Sequence, residues 1–194
     1  MTELTTGTWE GEPKTNDPLD WAHFFWQRDF EGPAEAFLAM TGLLRVSQVI
    51  SSSLDEVLKP YDLNRTTYLF LMTLRLSSEG HRKLSSVSEY LLVHPTTVTL
   101  AADQLESRKL VARVPHPTDR RTTLCELTPT GRLLVEKATS DLKEFNFGLG
   151  RTSRSEARTL LRLVQQVYST AFDKLGKRNA RIRTALQKGT NRRA

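Results

Sequence analysis

Residues 93–128 read VHPTTVTLAADQLESRKLVARVPHPTDRRTTLCELT, and within this stretch the apolar period changes once. From 95 to about 108, Val98, Ala101, Ala102 and Leu105 recur at i, i+3, i+4 and i+7, the spacing of a helix buried along one narrow stripe. The opposite side carries Thr96, Thr99, Leu100, Asp103 and Ser107, with Thr97 and Gln104 flanking, so it is small and polar. Beyond it, residues 110–114 and 122–127 read as two strands. The link between them, 115–121, is proline-rich and ends in Arg120 and Arg121, which predicts an exposed hairpin loop with a basic tip.

Upstream of this stretch the pattern is helical. A short helix is predicted over 84–92, with Ser86 three residues before Glu89 at capping-box spacing. Another is predicted over 64–77, with Tyr68, Leu71, Met72 and Leu74 inward. Residues 34–59 carry Phe37, Leu38, Leu44, Val46, Val49, Ile50, Leu54, Val57 and Leu58 at helical spacing over some seven turns, too long for one small globule to cover. Asp17-Pro18 is an N-cap with proline at the first helical position, and it opens a short aromatic helix through Trp21, Phe24, Phe25 and Trp26 that Gly32-Pro33 breaks.

Downstream, Thr128-Pro129 repeats the N-cap and proline signal and opens a helix over 129–149. Ser153 and Glu156 form a second capping box before a last helix over 153–178, with Leu160, Leu161, Leu163, Val164, Val167, Tyr168 and Phe172 on its apolar side. Both helices, like 34–59, carry stripes that one protomer cannot fully bury, so a twofold mate is expected. Residues 1–16 lack apolar periodicity and read as a disordered acidic tail; 179–194 read as a basic tail. Between them lies a single domain, 17–178.

Charge follows the same division. The 194 residues carry a net charge of +6. Residues 1–35 hold eight acids against Lys14 and Arg28, whereas 174–194 hold eight Lys or Arg and no acid. A basic middle and a basic tail point to a polyanion, most simply nucleic acid. The order of helix, helix, short helix, slim-faced helix and basic-tipped hairpin is that of a winged helix-turn-helix. The slim helix can enter a major groove and offer hydroxyls and an amide to base edges, while guanidinium groups at the hairpin tip can reach the adjacent minor groove. The fold expected is therefore mainly α, with a two-stranded β-wing and an α-helical dimerisation region over 17–59 and 129–178 flanking a winged helix-turn-helix over 61–128.

Several of these segments match a known pattern. Residues 119–128, Asp-Arg-Arg-Thr-Thr-Leu-Cys-Glu-Leu-Thr, resemble the wing signature of the MarR family of bacterial transcription regulators. Val93-His-Pro-Thr-Thr-Val-Thr99 is similar to that family's entry into the recognition helix, Leu105-Glu through Arg113 to its exit into the wing, and Leu127-Thr-Pro-Thr-Gly131 to its next helix start. The resemblance covers about 36–175. It implies a homodimer on pseudo-palindromic double-stranded DNA, commonly a repressor released by a small molecule, and the lone cysteine fits the reducing interior of the cytoplasm, where the chain is expected.

The DNA-binding candidates are Thr96, Thr97, Thr99, Gln104, Arg113, Arg120, Arg121 and Lys83, with Asp119 holding the wing by pairing with one of its arginines. Arg113 and Lys83 read as phosphate neighbours. Leu100, where many members have a polar residue, can meet a thymine methyl. For an aromatic or lipophilic effector the candidates are Trp26, Arg28, Tyr68 and Met72. Trp26-Gln-Arg28 is similar to the family's urate-responsive branch, but the position of that branch's Asp is Leu69 in this chain.

Other classes find little support. The one cysteine, Cys125, excludes an internal disulfide and a Cys-rich zinc site, and His23, His81, His94 and His116 show no paired spacing, so no metal and no cofactor are expected. Phosphate loops, nucleophile elbows and catalytic carboxylate pairs are missing from the sequence, so an enzyme is not expected. The longest apolar run is 68–72, and the N-terminus carries Glu3, Glu10 and Glu12, so neither a membrane span nor a signal peptide is expected. The rival reading is a winged helix that binds nucleoid DNA or RNA with low specificity and no effector.

Overall fold

A computed structural model describes residue 13, residues 15–116 and residues 122–170. The chain divides into two compact units, one running to Leu149 and one from Gly150. In the first, α1 (Pro18–Asp29) opens at Asp17, whose carboxylate accepts the Leu19 N–H at 2.9 Å. Next comes α2 (Glu35–Leu58), extended by a 3-10 turn over Lys59–Tyr61. A reciprocal box between Asn64 and Thr67 caps α3 (Arg65–Arg75). Strand β1 (His81–Lys83) leads directly into α4 (Leu84–Leu91), and α5 (Pro95–Ser107) follows after a left-handed Leu92 at φ 54°. Strands β2 (Val111–Pro115) and β3 (Thr123–Leu127) form the hairpin. Thr128 Oγ then accepts the Gly131 N–H at 3.0 Å to start α6 (Pro129–Glu144), which ends in a 3-10 turn over Asn146–Gly148.

In the second unit a helix, α7, covers 154–170. The Ser153 box forms as expected: Glu156 accepts the Ser153 N–H at 2.8 Å, and Ser153 Oγ accepts the Glu156 N–H at 3.3 Å. The tails read at 1–16 and 179–194, apart from residues 13, 15 and 16, lie outside the described residues, as do 171–178 of the last helix.

The core gathers around α3. Phe70, Leu71 and Leu74 meet Val87 of α4, Val98, Ala102 and Leu105 of α5, and Val135 and Leu142 of α6, all essentially closed to solvent. Cross-links of polar groups fix the same helices: Tyr61 Oη donates to Asp141, Tyr68 Oη lies 3.1 Å from Thr139 Oγ1, and Arg75 pairs with Glu136 at 2.9 Å.

Three expectations are corrected. The sheet has three strands in the order β1-β3-β2, because His81, Arg82 and Lys83 pair antiparallel with Glu126, Cys125 and Leu124. Ser86 and Glu89 form no capping box, since α4 begins at Leu84 off the end of β1 with Lys83 at the cap position and no side-chain cap. The helix from Pro129 ends at Glu144 instead of 149, broken by left-handed Asn146 and Phe147 at φ 48° and 53°. The helical stretch Glu35–Tyr61 holds no unbroken apolar run of bilayer length, but one 18-residue window within it has a mean hydropathy of 1.2, so by length and composition it could cross a membrane. Along α2, Met40, Leu43, Leu44, Val46 and Val49 stand exposed, while its last residue Leu58 is buried in the core. Leu160, Leu161, Leu163, Val164, Val167 and Tyr168 of α7 are likewise exposed.

Candidate nucleic-acid interface

The surface is built from α5 outward. Val98, Ala101, Ala102 and Leu105 are buried, which fixes the rotation of the helix and leaves Thr96, Thr97, Thr99, Leu100, Asp103, Gln104 and Ser107 exposed. Pro95 stands in the first turn, and the His94 ring, Nδ1 accepting the Thr96 N–H at 3.3 Å, caps the start. The sequence reading did not assign His94 this role, although an imidazole directly before a helix-opening proline was the available signal. Thr99 Oγ1 donates to Pro95 O at 3.1 Å, leaving the hydroxyl oxygen as an acceptor toward solvent. Thr96, Thr97, Thr99 and Gln104 thus share one open surface, with Leu100, 64% exposed, as its apolar element.

The sheet stands beside this helix. Val111–Pro115 pair with Leu127–Thr123, and the His116 N–H donates to Thr122 O at 3.3 Å, so the hairpin is held in register up to its tip. Asp119, Arg120 and Arg121 belong to 117–121, which lie outside the described residues. Lys83 is exposed at the end of β1. Its neighbours include residues the sequence reading did not assign to this surface: a polar cleft of about 250 Å³ is lined by Glu79, His81, Arg82, Lys83, Ser86 and His116. Arg82 Nε donates to Thr73 O at 3.3 Å, which ties the strand to α3.

Arg113 is placed differently from Lys83. Its Nη1 donates to Glu106 at 2.7 Å, its Nη2 to Asp103, and its backbone N–H to Glu106 at 3.2 Å. The hydrogen bond to Asp103 leads in raising the guanidinium pKa above its already high value. Arg113 and Arg82 both pair across the sheet with Cys125. Burial pushes that thiol up to about 12, with Arg113 opposing the shift, so Cys125 stays protonated and has the character of a core residue, not of a sensor. Among the described residues no group of His, Cys, Asp and Glu could hold a metal ion.

The effector candidates fall into two places. Tyr68 and Met72 line an apolar cleft of about 240 Å³ together with Leu54 of α2, Leu69 and Leu76, Tyr90 of α4 and Phe147. Trp26 and Arg28 do not line it. Trp26 stacks on Phe30 and Phe37 with ring centres 5.0 and 4.8 Å away, and Arg28 pairs with Asp29 and lies 4.6 Å over the Phe25 ring. The Trp26–Phe37 stack staples α1 to the start of α2, while the Arg28 contacts stay within α1.

Comparison with known proteins gives a consistent answer. The sequence profile of the MarR family matches residues 63–123. The structure resembles Sco5413, a MarR family transcriptional regulator from Streptomyces coelicolor, at a TM-score of 0.66 and 35% identity, covering 73% of this chain and 98% of that one. It also resembles BpsR of Bordetella bronchiseptica, whose DNA binding is regulated by 6-hydroxynicotinic acid, at a TM-score of 0.59 and 25% identity, covering 66% of this chain and 97% of that one. YhbI of Bacillus subtilis, an uncharacterized HTH-type transcriptional regulator, is 33% identical over 96 residues, 50% of this chain; the match spans 61% of YhbI.

Proposed function

The chain belongs to the MarR family of DNA-binding transcription regulators, and from that premise we propose that it is a homodimeric repressor that leaves an inverted-repeat operator when a small aromatic or lipophilic effector binds. The observation that carries the DNA half is the outer surface of α5, with three threonines and a glutamine exposed over a fully buried stripe. Thr96, Thr97, Thr99 and Gln104 are assigned to the major groove, Lys83 to a phosphate, and Arg120 and Arg121 to the minor groove, with Asp119 steadying the wing. The chain works where the chromosome is, in the cytoplasm.

The dimer is assigned to the helices that keep apolar residues bare. Burying a Leu or Val side chain contributes about 1.5–3 kcal/mol, so covering the exposed residues of α2 and α7 with a second copy supplies a large driving force. The same reasoning assigns the bilayer-length stretch Glu35–Tyr61 to a protein partner: its C-terminal end is already committed to the core through Leu58. Twofold symmetry then sets the two α5 helices about 34–36 Å apart, one turn of duplex.

The effector is assigned to the cleft of Tyr68 and Met72. Side chains of α2, α3 and α4 meet there, so a ligand that prefers one spacing of these helices shifts the reading heads through differential binding. BpsR, with its ligand-regulated DNA binding, supports this reading.

The test is selection of genomic fragments by the purified protein, followed by salt titration on the winning duplex. The expected result is steep weakening with salt and a preference of about 10³-fold or more over scrambled duplex. Arg120→Ala with Arg121→Ala abolishes that preference and leaves the dimer intact. Equal affinity for scrambled DNA or for RNA favours the low-specificity alternative, and unchanged binding by the double variant removes the wing assignment.

A further inference from the structure

We propose that Arg113 is a positioning residue: it locks the wing to the recognition helix, holds Asp103 away from the bases, and makes no phosphate contact of its own. The inference rests on the DNA-binding reading above. It replaces the expectation that Arg113, as a basic residue at the edge of the interface, neighbours a phosphate.

Three bonds converge on this one residue. Glu106 takes both the Arg113 guanidinium, at 2.7 Å, and the Arg113 backbone N–H, at 3.2 Å, so a single carboxylate of α5 grips side chain and main chain of β2 together. Asp103, one turn earlier on the same helix, takes a second guanidinium nitrogen. Arg113 is paired with Cys125 of β3, which in turn pairs with Arg82 of β1, so whatever holds Arg113 to α5 holds the whole sheet. The loop 108–110 between helix and strand is short, and Arg113 ties its two ends together from outside.

Charge points the same way. Asp103 and Glu106 are the only acids of α5, and Asp103 is half exposed on the side that carries Gln104 and Thr99. A bare carboxylate there would repel phosphates and could accept a hydrogen bond from the amino group of cytosine. Paired with Arg113 it does neither. The guanidinium side chain is only 29% exposed, and each of its two terminal nitrogens donates to one of the acids, which suits a brace and not an arm extended toward a backbone.

The experiment measures operator affinity against salt for the full-length dimer and three variants, Arg113→Met, Asp103→Asn, and the triple Asp103→Asn, Glu106→Gln, Arg113→Met. A lost phosphate contact lowers the log–log salt slope by about 0.9. The triple variant carries no uncompensated acid, and it is expected to bind at least about tenfold more weakly than the parent with an unchanged slope. A triple variant whose slope falls by about 0.9 shows Arg113 on a phosphate and overturns the proposal, as does one that binds as tightly as the parent. Arg113→Met is expected to gain tolerance for cytosine at one operator position, a change that Asp103→Asn lacks; identical base preferences in all variants refute the shielding role. Should Arg113→Met not fold, Asp103→Asn alone decides: it removes one negative charge but leaves Arg113 held by Glu106, so the slope is expected to stay unchanged, and a slope steeper by about 0.9 contradicts the assignment. If the parent itself shows no salt-dependent operator binding, the DNA-binding reading fails, and that outcome is visible before any variant is made.

Discussion

Phe70 and Leu105 are completely enclosed, whereas Leu44 and Val49, on a helix just as regular, are 65% and 63% exposed. The residues around α3, α4, α5 and α6 form a core complete within one chain. The middle of α2 does not: Met40, Leu43, Leu44, Val46 and Val49 are all exposed, and α7, described by itself, repeats the pattern. The same apolar periodicity therefore has two meanings. In the reading head it specifies which side of each helix meets the others, and in the long helices it specifies a surface still to be covered. A regulator needs both, a head rigid enough to present side chains to a groove and a joint whose geometry can change.

The largest effect is expected where that contrast is sharpest. Leu44→Glu with Val49→Glu places two charges on the exposed middle of α2 and touches none of the buried core. Sedimentation velocity is expected to show a monomer with a normal far-UV circular dichroism spectrum, and operator affinity is expected to fall by about 10³-fold or more, since a lone head keeps little beyond non-specific binding. A dimer that survives both substitutions would assign that face to something else.

A smaller effect, confined to the head, is expected from Gly131→Ala. A Cβ at Gly131 would lie 2.0 Å from the Leu110 carbonyl oxygen, which already accepts the Thr128 N–H at 3.1 Å and the Thr128 hydroxyl at 3.0 Å. The backbone of α6 must give way, at a cost of about 1–3 kcal/mol measured by denaturant unfolding. Because this junction joins wing to α6, the variant is expected to lose stability and keep its dimer. The reverse pattern would erase the distinction between the two regions.

The smallest expected effect is none. Cys125 lies in the finished core, and its thiol is pushed up to about 12, so its thiolate form is absent in the native protein near about pH 8. Iodoacetamide is expected to label the unfolded chain and leave the native one unmodified, and peroxide is expected to leave operator affinity unchanged. Rapid native labelling would mean that the sheet opens far more readily than its packing implies.

The contrast also explains what could be read from the sequence. Asp17-Pro18, Thr128-Pro129 and Ser153 with Glu156 act over three residues, and all three caps formed where they were read. The buried stripe of α5 is equally local, and it placed Thr96, Thr97, Thr99 and Gln104 on one surface. What escaped depends on partners distant in sequence. β1 is three residues long, too short to show an alternating pattern, and exists because β3 lies more than forty residues away to pair with it. Phe70 fell outside the inward set read for its helix, yet it is fully enclosed in the core that the helices build together. Arg113 looked like any basic residue near a wing until Asp103 and Glu106 were seen to hold it. Trp26 and Arg28 were grouped with Tyr68 and Met72 by family resemblance, and the fold puts Trp26 into the stack that joins α1 to α2, Arg28 into contacts within α1, and the second pair into the apolar cleft. The tip residues Asp119, Arg120 and Arg121 lie outside the described residues.

The central claim is that two copies of this chain, joined through their long helices, present two α5 surfaces to one duplex. Sedimentation equilibrium of the purified protein with a single selected operator measures it directly. The account predicts two protomers per duplex, bound at two half-sites about one helical turn apart and absent from a scrambled duplex of equal length. One protomer per duplex, or the same binding to the scrambled sequence, would contradict it.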